Sequence, residues 1–379
     1  MANIMDYIAW RGDVPFETSP LNEVDEYLIS IIGLLDFEGI VPADGAYIPL
    51  PEAAERYFSA GGETLLGALT SRQVAPAFRA MAAAPRYTGL ALTGFRQDLN
   101  EENGEQFSAL TVRLPDGRHC ITFRGTDDTV VGWKENFMLT VMEALPSQLS
   151  ALEYLNWAAS VYDGPLLLLG HSKGGNLAIY AAAKTEPAVK LRIERIFNSD
   201  GPGFLPEFLD TPEFLAVRDK ICTLVPEHSM IGILLYPAAE FQIVKSGIFL
   251  TGSHDGFTWE VTPPGQFTRC DELSATSRTF DRAVKKLLND RTPEEWRACI
   301  EECFGVLSDA GVATLTDLTE KQLGEKLLTI RSLIKDPALQ DLFSDTFSAF
   351  VREYFSERSS VLSALLAPGR SRREEDASD

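Results

Sequence analysis

Ser172 lies in Gly170-His171-Ser172-Lys173-Gly174, after the apolar run 166–169 and ahead of the alanine-rich run 176–183. Read in order, these are a strand, a tight turn and a helix. A serine on such a turn sits on a strained backbone that lifts its hydroxyl off the sheet edge, and flanking glycines let neighbouring chain close around it. The five-residue pattern is weak by itself. The strand before it and the helix after it are what predict a nucleophile elbow rather than a structural glycine turn.

A serine hydroxyl is a poor nucleophile at neutral pH and needs a base within hydrogen-bond reach, itself oriented by an acid. The chain has only four histidines. His119 opens a strand ahead of the serine and is read as structural. His171 is locked into the elbow and is expected to pack there or orient the turn, pointing away from Ser172. His254 lies in Gly252-Ser253-His254-Asp255-Gly256, a small-residue loop after an apolar strand, and is the predicted base, with His228 one loop earlier as the alternative. Two acids compete. Asp200 follows a strand in Asn198-Ser199-Asp200-Gly201-Pro202-Gly203, where it could equally be only a turn aspartate bonded to nearby backbone; Glu227 occupies the next loop, in Val225-Pro226-Glu227-His228-Ser229. Asp255 adjoins His254 in sequence and cannot easily turn back onto its ring. Charge developing on a substrate oxygen needs two aimed N–H donors. Lys173 supplies one by following the nucleophile, and Thr126, in the loop 123–128, offers both an N–H and a hydroxyl.

These residues need a sheet to hold them. Residues 107–114 alternate as a strand, Pro115-Asp116-Gly117-Arg118 reads as a hairpin turn, and residues 119–124 form the antiparallel partner. Helix then alternates with strand: helix 152–161, strand 166–169, helix 176–184, and strands 195–198, 221–225 and 243–250. That alternation predicts a mainly parallel sheet with helices on both faces. Ahead of it, Ser19-Pro20 reads as a helix N-cap and first-turn proline, with Leu28, Ile29, Ile32 and Leu35 on one helical face. Residues 50–85 read as helical, broken at Gly61-Gly62. The apolar stretch 230–241 falls between two strands and reads either as a buried helix covering the sheet or as a wall for an acyl chain. Beyond residue 290 only helical spacing recurs, in Trp296, Ile300 and Phe304, then Leu323 to Ile334 and Leu339 to Tyr354; such stripes are core before they are ligand sites. The expected organisation is a domain over 1–289, a helical appendage over 290–365 and a frayed tail over 366–379.

Composition narrows the function. Against 34 basic residues stand 55 acidic ones, a net charge of −21, which argues against nucleic acid and against stable docking on an anionic membrane. No apolar run is long enough for a membrane span, and the N-terminus lacks the basic start and apolar core of a signal peptide. The five cysteines are scattered without paired spacing, so a reduced, cytoplasmic setting is expected. No metal-ligand cluster or dinucleotide fingerprint appears, and no cofactor is expected.

The segment Phe123-Arg124-Gly125-Thr126-Asp127-Asp128, then Trp133, then the run 170–178 resembles the class 3, triacylglycerol-lipase-like α/β-hydrolases, over roughly residues 105–260. The N-terminal stretches 5–16 and 19–30 and the segment 198–204 further resemble a bacterial family of cytosolic lipase-like proteins. The resemblance implies an α/β-hydrolase fold, Ser172 as the nucleophile and Thr126 as an oxyanion residue. In some lipases the acid follows the strand after the elbow, as Asp200 does. Many class 3 lipases instead carry an aspartate in the loop after the next strand, where this chain has Pro-Glu-His-Ser. The expected activity is cleavage of a small ester or lipid acyl group; the rival expectation is an idle binding protein that keeps the fold.

Overall fold

The computed structural model describes residues 1–62, 71–127, 129–248, 250–289, 292–309 and 314. These belong to the unit Met1–Leu318, one of two into which the chain divides. The stripes expected over 323–354 and the tail over 366–379 lie outside the described residues.

The chain opens with α1 (Ile4–Arg11) and α2 (Glu23–Ile32). A two-residue strand, β1 (Ile48–Pro49), leads into α3 (Leu50–Ser59), and α4 (Val74–Ala83) follows. A meander of β2 (Ala91–Asn100), β3 (Glu105–Arg113) and β4 (His119–Phe123) precedes α5 (Val130–Met138) and α6 (Pro146–Val161). The alternating part runs β5 (Leu166–His171), α7 (Lys173–Lys184), α8 (Pro187–Arg192), β6 (Ile193–Ser199), α9 (Pro206–Leu209), α10 (Pro212–Leu215), β7 (Ile221–Pro226) and β8 (Phe241–Val244). Short strands β9 (Val261–Thr262), β10 (Gln266–Phe267) and β11 (Arg269–Cys270) come next, then α11 (Ala275–Asn289) and α12 (Pro293–Asp309).

One nine-stranded sheet takes the order β1-β2-β3-β4-β5-β6-β7-β8-β11. Its centre, β4 through β8, is parallel, and its flanks pair antiparallel. Side chains alternate across a strand, and β5 shows the consequence. Leu167 and Leu169 pack with α1 to α4 on one face, whereas Leu166 and Leu168 pack with α6 and α7 on the other. A strand covered on both sides is apolar at every position, which is why residues 166–169 read so clearly. This is the α/β-hydrolase architecture.

Three expectations need correction, and one strand was not anticipated. The second helix does not begin at Ser19-Pro20. Asn22 caps it, accepting from the Val24 and Asp25 amides at 3.0 and 3.2 Å, while Asp25 Oδ2 accepts from Asn22 N at 3.1 Å. That reciprocal box satisfies more orphan N–H groups than Ser19 could, and the Ser19 and Pro20 carbonyls instead accept from Arg86. The strand expected over 243–250 ends at Val244 and gives way to a 3₁₀ turn over Leu250–His254. The stretch 230–241 contains no helix; its backbone bonds across to Phe204 through Tyr236, and Leu235 takes φ +62°, which no helix accommodates. Finally, β2 carries no clear strand signal because Gly94 interrupts it at φ +65°, where the register against β3 slips. A Cβ there would come within 2.8 Å of Trp157 and Tyr154.

Within the segment read as an appendage, α12 lies on α5, with the Phe137 and Phe304 rings 5.6 Å apart. Ile300 joins Met138, Leu139, Val141, Leu145 and Leu235 in one buried cluster.

Candidate active site

Parallel register lines up the carboxyl ends of the central strands. Phe123 pairs with Gly170, Gly170 with Asn198, and Ser199 with Leu224. The loops after β4, β5, β6 and β7, carrying Thr126, Ser172, Asp200 and Glu227, therefore leave the sheet along one edge.

Ser172 occupies φ 58°, ψ −136° at the junction of β5 and α7. Among the described residues only Ser172, Asp200 and Leu235 take positive φ without being glycine. Such strain persists only where surrounding bonds over-determine it. Here Ser172 N donates to Ser199 O at 3.0 Å, and Ser172 O accepts from Gly175 N at 2.9 Å. The glycines answer to space: a Cβ on Gly174 would lie 2.0 Å from Phe123 O, and one on Gly170 would lie 2.1 Å from the Gly174 carbonyl carbon.

Asp200, fully buried, takes φ 51° and anchors its amide to Leu224 O at 2.8 Å. Its Oδ2 stands 2.6 Å from His254 Nδ1. Its Oδ1 accepts from Ser229 Oγ at 2.6 Å and from Gly232 N at 3.0 Å. A carboxylate only accepts, so Nδ1 carries the proton in the neutral ring and Nε2 keeps its lone pair. The elbow itself braces this residue: His171 Nε2 bonds His254 O at 2.8 Å, and the two imidazoles lie 4.4 Å apart between centroids. Tyr27 closes the far side of His171, edge-on at 5.6 Å. Burial pushes the His171 pKa down to about 3, with the neighbouring His254 adding to the effect, so His171 is neutral and Nε2–H donates.

The other candidates sit elsewhere. Glu227 Oε1 accepts from Ser246 N at 3.2 Å and lies 3.9 Å from His228 Nε2. His119 stacks on Tyr162 at 4.9 Å and bonds Tyr47 Oη at 2.9 Å, behind the site. Asp255 caps the turn at Phe257 N and accepts from Ser71 Oγ at 2.7 Å, so it turns away from the His254 ring. The Thr126 hydroxyl pairs with the Asn136 amide, accepting from Nδ2 at 2.6 Å. Lys173 contributes more than a backbone N–H. Its Nζ is buried and donates to Glu135 Oε2 at 2.6 Å, to Gln106 O at 2.7 Å and to Gln106 Oε1 at 2.8 Å.

Sequence reasoning missed Ser229, Gly232, Asn136, Glu135 and Gln106. A signal existed for Glu135, since a lysine amid glycines and alanines at an elbow requires a buried counter-charge. Asn176 was also overlooked: it bonds the Gly203 carbonyl at 2.9 Å and accepts from Gln148 at 2.7 Å, holding the loop that follows Asp200. Among the described residues no group of His, Cys, Asp and Glu could hold a metal ion, and no helix is long and apolar enough to cross a membrane.

Strand order, elbow and strand-end loops define a lipase-like α/β-hydrolase. Within that class the family model described as Mbeg1-like matches residues 81–305, more than half of the chain, and the protein belongs to that family. No curated protein matches the sequence. Solved structures that resemble it include a Rhizomucor miehei lipase with its propeptide, at 14% identity over 68% of this chain and 74% of that one, with a TM-score of 0.35. A fungal lipase bound to an inhibitor aligns at 14% identity over 67% and 88%, with a TM-score of 0.36. A triacylglycerol lipase described as having a serine-protease triad aligns at 13% over 69% and 88%, with a TM-score of 0.37.

Proposed function

We propose that this protein is a serine hydrolase that cleaves a carboxylic ester or a lipid acyl group. The observation that carries the reading is the 2.6 Å pairing of Asp200 with His254 at the sheet edge from which the strained Ser172 projects. His254 Nε2 takes the proton as Ser172 Oγ attacks the ester carbonyl, and the Asp200 carboxylate stabilises the imidazolium without accepting a proton. The Thr126 and Lys173 N–H groups receive the developing oxyanion. His254 then protonates the leaving alcohol, and water repeats the sequence to release the acid. No cofactor takes part.

Three further features support the substrate class and setting. A charge of −21 favours neutral or soluble esters over vesicles of anionic lipid. Cys120, Cys222 and Cys270 are free thiols, which fits a cytoplasmic location. Ile233 is buried in the stretch 230–241, next to Gly232, whose amide donates to Asp200, which suits an acyl wall near the base. The test is p-nitrophenyl ester hydrolysis across acyl-chain lengths. Wild type should turn over, with preference rising by about 0.8 kcal/mol per methylene until the pocket fills. Absence of turnover on every ester would leave an idle fold.

A further inference from the structure

We propose that Lys173, Glu135 and Gln106 form a buried positioning unit that aligns the two oxyanion donors with each other. The proposal rests on the reading of Ser172 as a nucleophile and of the Thr126 and Lys173 amides as its oxyanion donors.

Lys173 and Glu135 are each 1% exposed as side chains. Burying such a pair contributes little net stability compared with apolar residues of similar volume, so stability alone does not account for a lysine beside the nucleophile. Its hydrogen bonds do. All three ammonium protons have acceptors, one of them Gln106 Oε1. With its oxygen held, the Gln106 amide turns Nε2 toward Gly125 O, at 3.5 Å. That carbonyl belongs to the same planar peptide unit as the Thr126 N–H, so orienting one end orients the other. The remaining donor is the amide of residue 173 itself, among the first-turn N–H groups of α7 that no helical carbonyl satisfies. One side chain thus ties its own N–H to the N–H across the site.

Helix α5 reinforces the link from outside. Glu135 reaches Lys173 while the adjacent Asn136 holds the Thr126 hydroxyl. Glu135 is itself fixed, accepting from Ser147 N at 3.0 Å and Gln106 N at 3.3 Å. One turn earlier, Gly132 lets the helix approach so closely that a Cβ would lie 3.1 Å from both Asp127 Oδ1 and Gln106 Oε1. These residues act through the donors and are positioning residues.

Glu135→Gln removes the counter-charge and frees the ammonium to pull Gln106 out of register. Lys173→Met/Glu135→Leu replaces the pair by apolar groups and keeps the fold should the single variant fail to fold. In both, kcat on a short p-nitrophenyl ester should fall about 10- to 100-fold with KM nearly unchanged, because the oxyanion exists only on the way to and from the tetrahedral intermediate. Hydrogen exchange of the amides of residues 126 and 173 should quicken while the rest of the sheet keeps its protection. Wild-type kcat, or unaltered exchange at those two amides, in a folded variant overturns the proposal. If wild type itself hydrolyses no ester, the reading of Ser172 fails, and the exchange comparison alone decides whether this unit holds the two amides.

Discussion

Among the described residues, two ion pairs have both side chains buried, and they differ in what surrounds them. Arg86 meets Asp25 through Nε–Oδ1 at 2.9 Å and Nη2–Oδ2 at 2.5 Å, with both side chains fully buried. The rest of its guanidinium donates to the carbonyls of Val14, Ser19 and Pro20, and Asp25 also accepts from the Tyr7 and Tyr87 hydroxyls. Burial, with Asp25 alongside, raises both tyrosines far above their usual range. Every partner belongs to the N-terminal helices and their connections, so the network fastens residues 7–25 to residues 86–87. The Lys173–Glu135 pair is equally buried, yet its partners lead to Gly125, Thr126 and the elbow. A buried ion pair is therefore not legible as structural or functional from its own geometry. Its onward hydrogen bonds decide.

The largest effects should come from the site itself. His254→Ala should lower turnover by three orders of magnitude or more, whereas His228→Ala should be mild; steady-state rates on folded protein make the comparison. A severe His228 effect beside a mild His254 effect would move the base one loop earlier.

Asp200→Asn should cost on the order of 10⁴-fold in kcat, the scale seen when a triad acid is neutralised and the imidazole takes the wrong tautomer. Glu227→Gln should change the rate only slightly, because its carboxylate serves Ser246 rather than His254. Asp200 also holds Ser229 and Gly232, so denaturation curves belong beside the rates.

Arg86→Met tests the framework half of the comparison. Leaving Asp25 charged and unpaired should destabilise the fold by about 3–5 kcal/mol. The kcat of protein that remains folded should not change. A selective loss of kcat at full stability would mean that the N-terminal network reaches the site after all.

The remaining effect concerns His171 and shows only as pH changes. Its folded pKa of about 3 lies below the ordinary value near 6.5. Between those values the unfolded chain binds a proton that the folded protein does not. The stability this group contributes is thus complete above about pH 6.5 and is lost as pH falls toward 3, by at most about 1.4 kcal/mol per pH unit. Glu26 runs the other way, since burial raises its carboxyl to about 7, and its contribution is lost as pH rises through that value. Melting temperatures from pH 4 to 8 for wild type and His171→Gln should converge toward the acid end. Parallel curves would show that His171 is not held neutral.

The parts of this fold that could be read in advance are those with a local code. Strand β5 is apolar over residues 166–169 because both its faces are covered, the turn 115–118 carries its own aspartate and glycine, and the elbow combines strand, glycines and helix. Strand β2 lacked such a code, as did residues 230–241, where Leu235 joins a cluster with α5 and α12 without any regular backbone. At the site, sequence could put Asp200 and Glu227 at successive strand ends but could not choose between them. The choice depends on Asp200 turning into positive φ and bonding Leu224, and on Ser246 occupying Glu227. The Glu135–Lys173 contact joins residues 38 apart across two elements, where no spacing rule applies.

The central claim is that Ser172 is an activated nucleophile, and labelling with a fluorophosphonate probe tests it most directly. Wild type should be labelled at one residue, Ser172, and Ser172→Ala should not be labelled although its circular dichroism is unchanged. An unlabelled wild type would contradict the account by showing an idle serine. Labelling that persists in Ser172→Ala would contradict it by showing that another residue is the nucleophile.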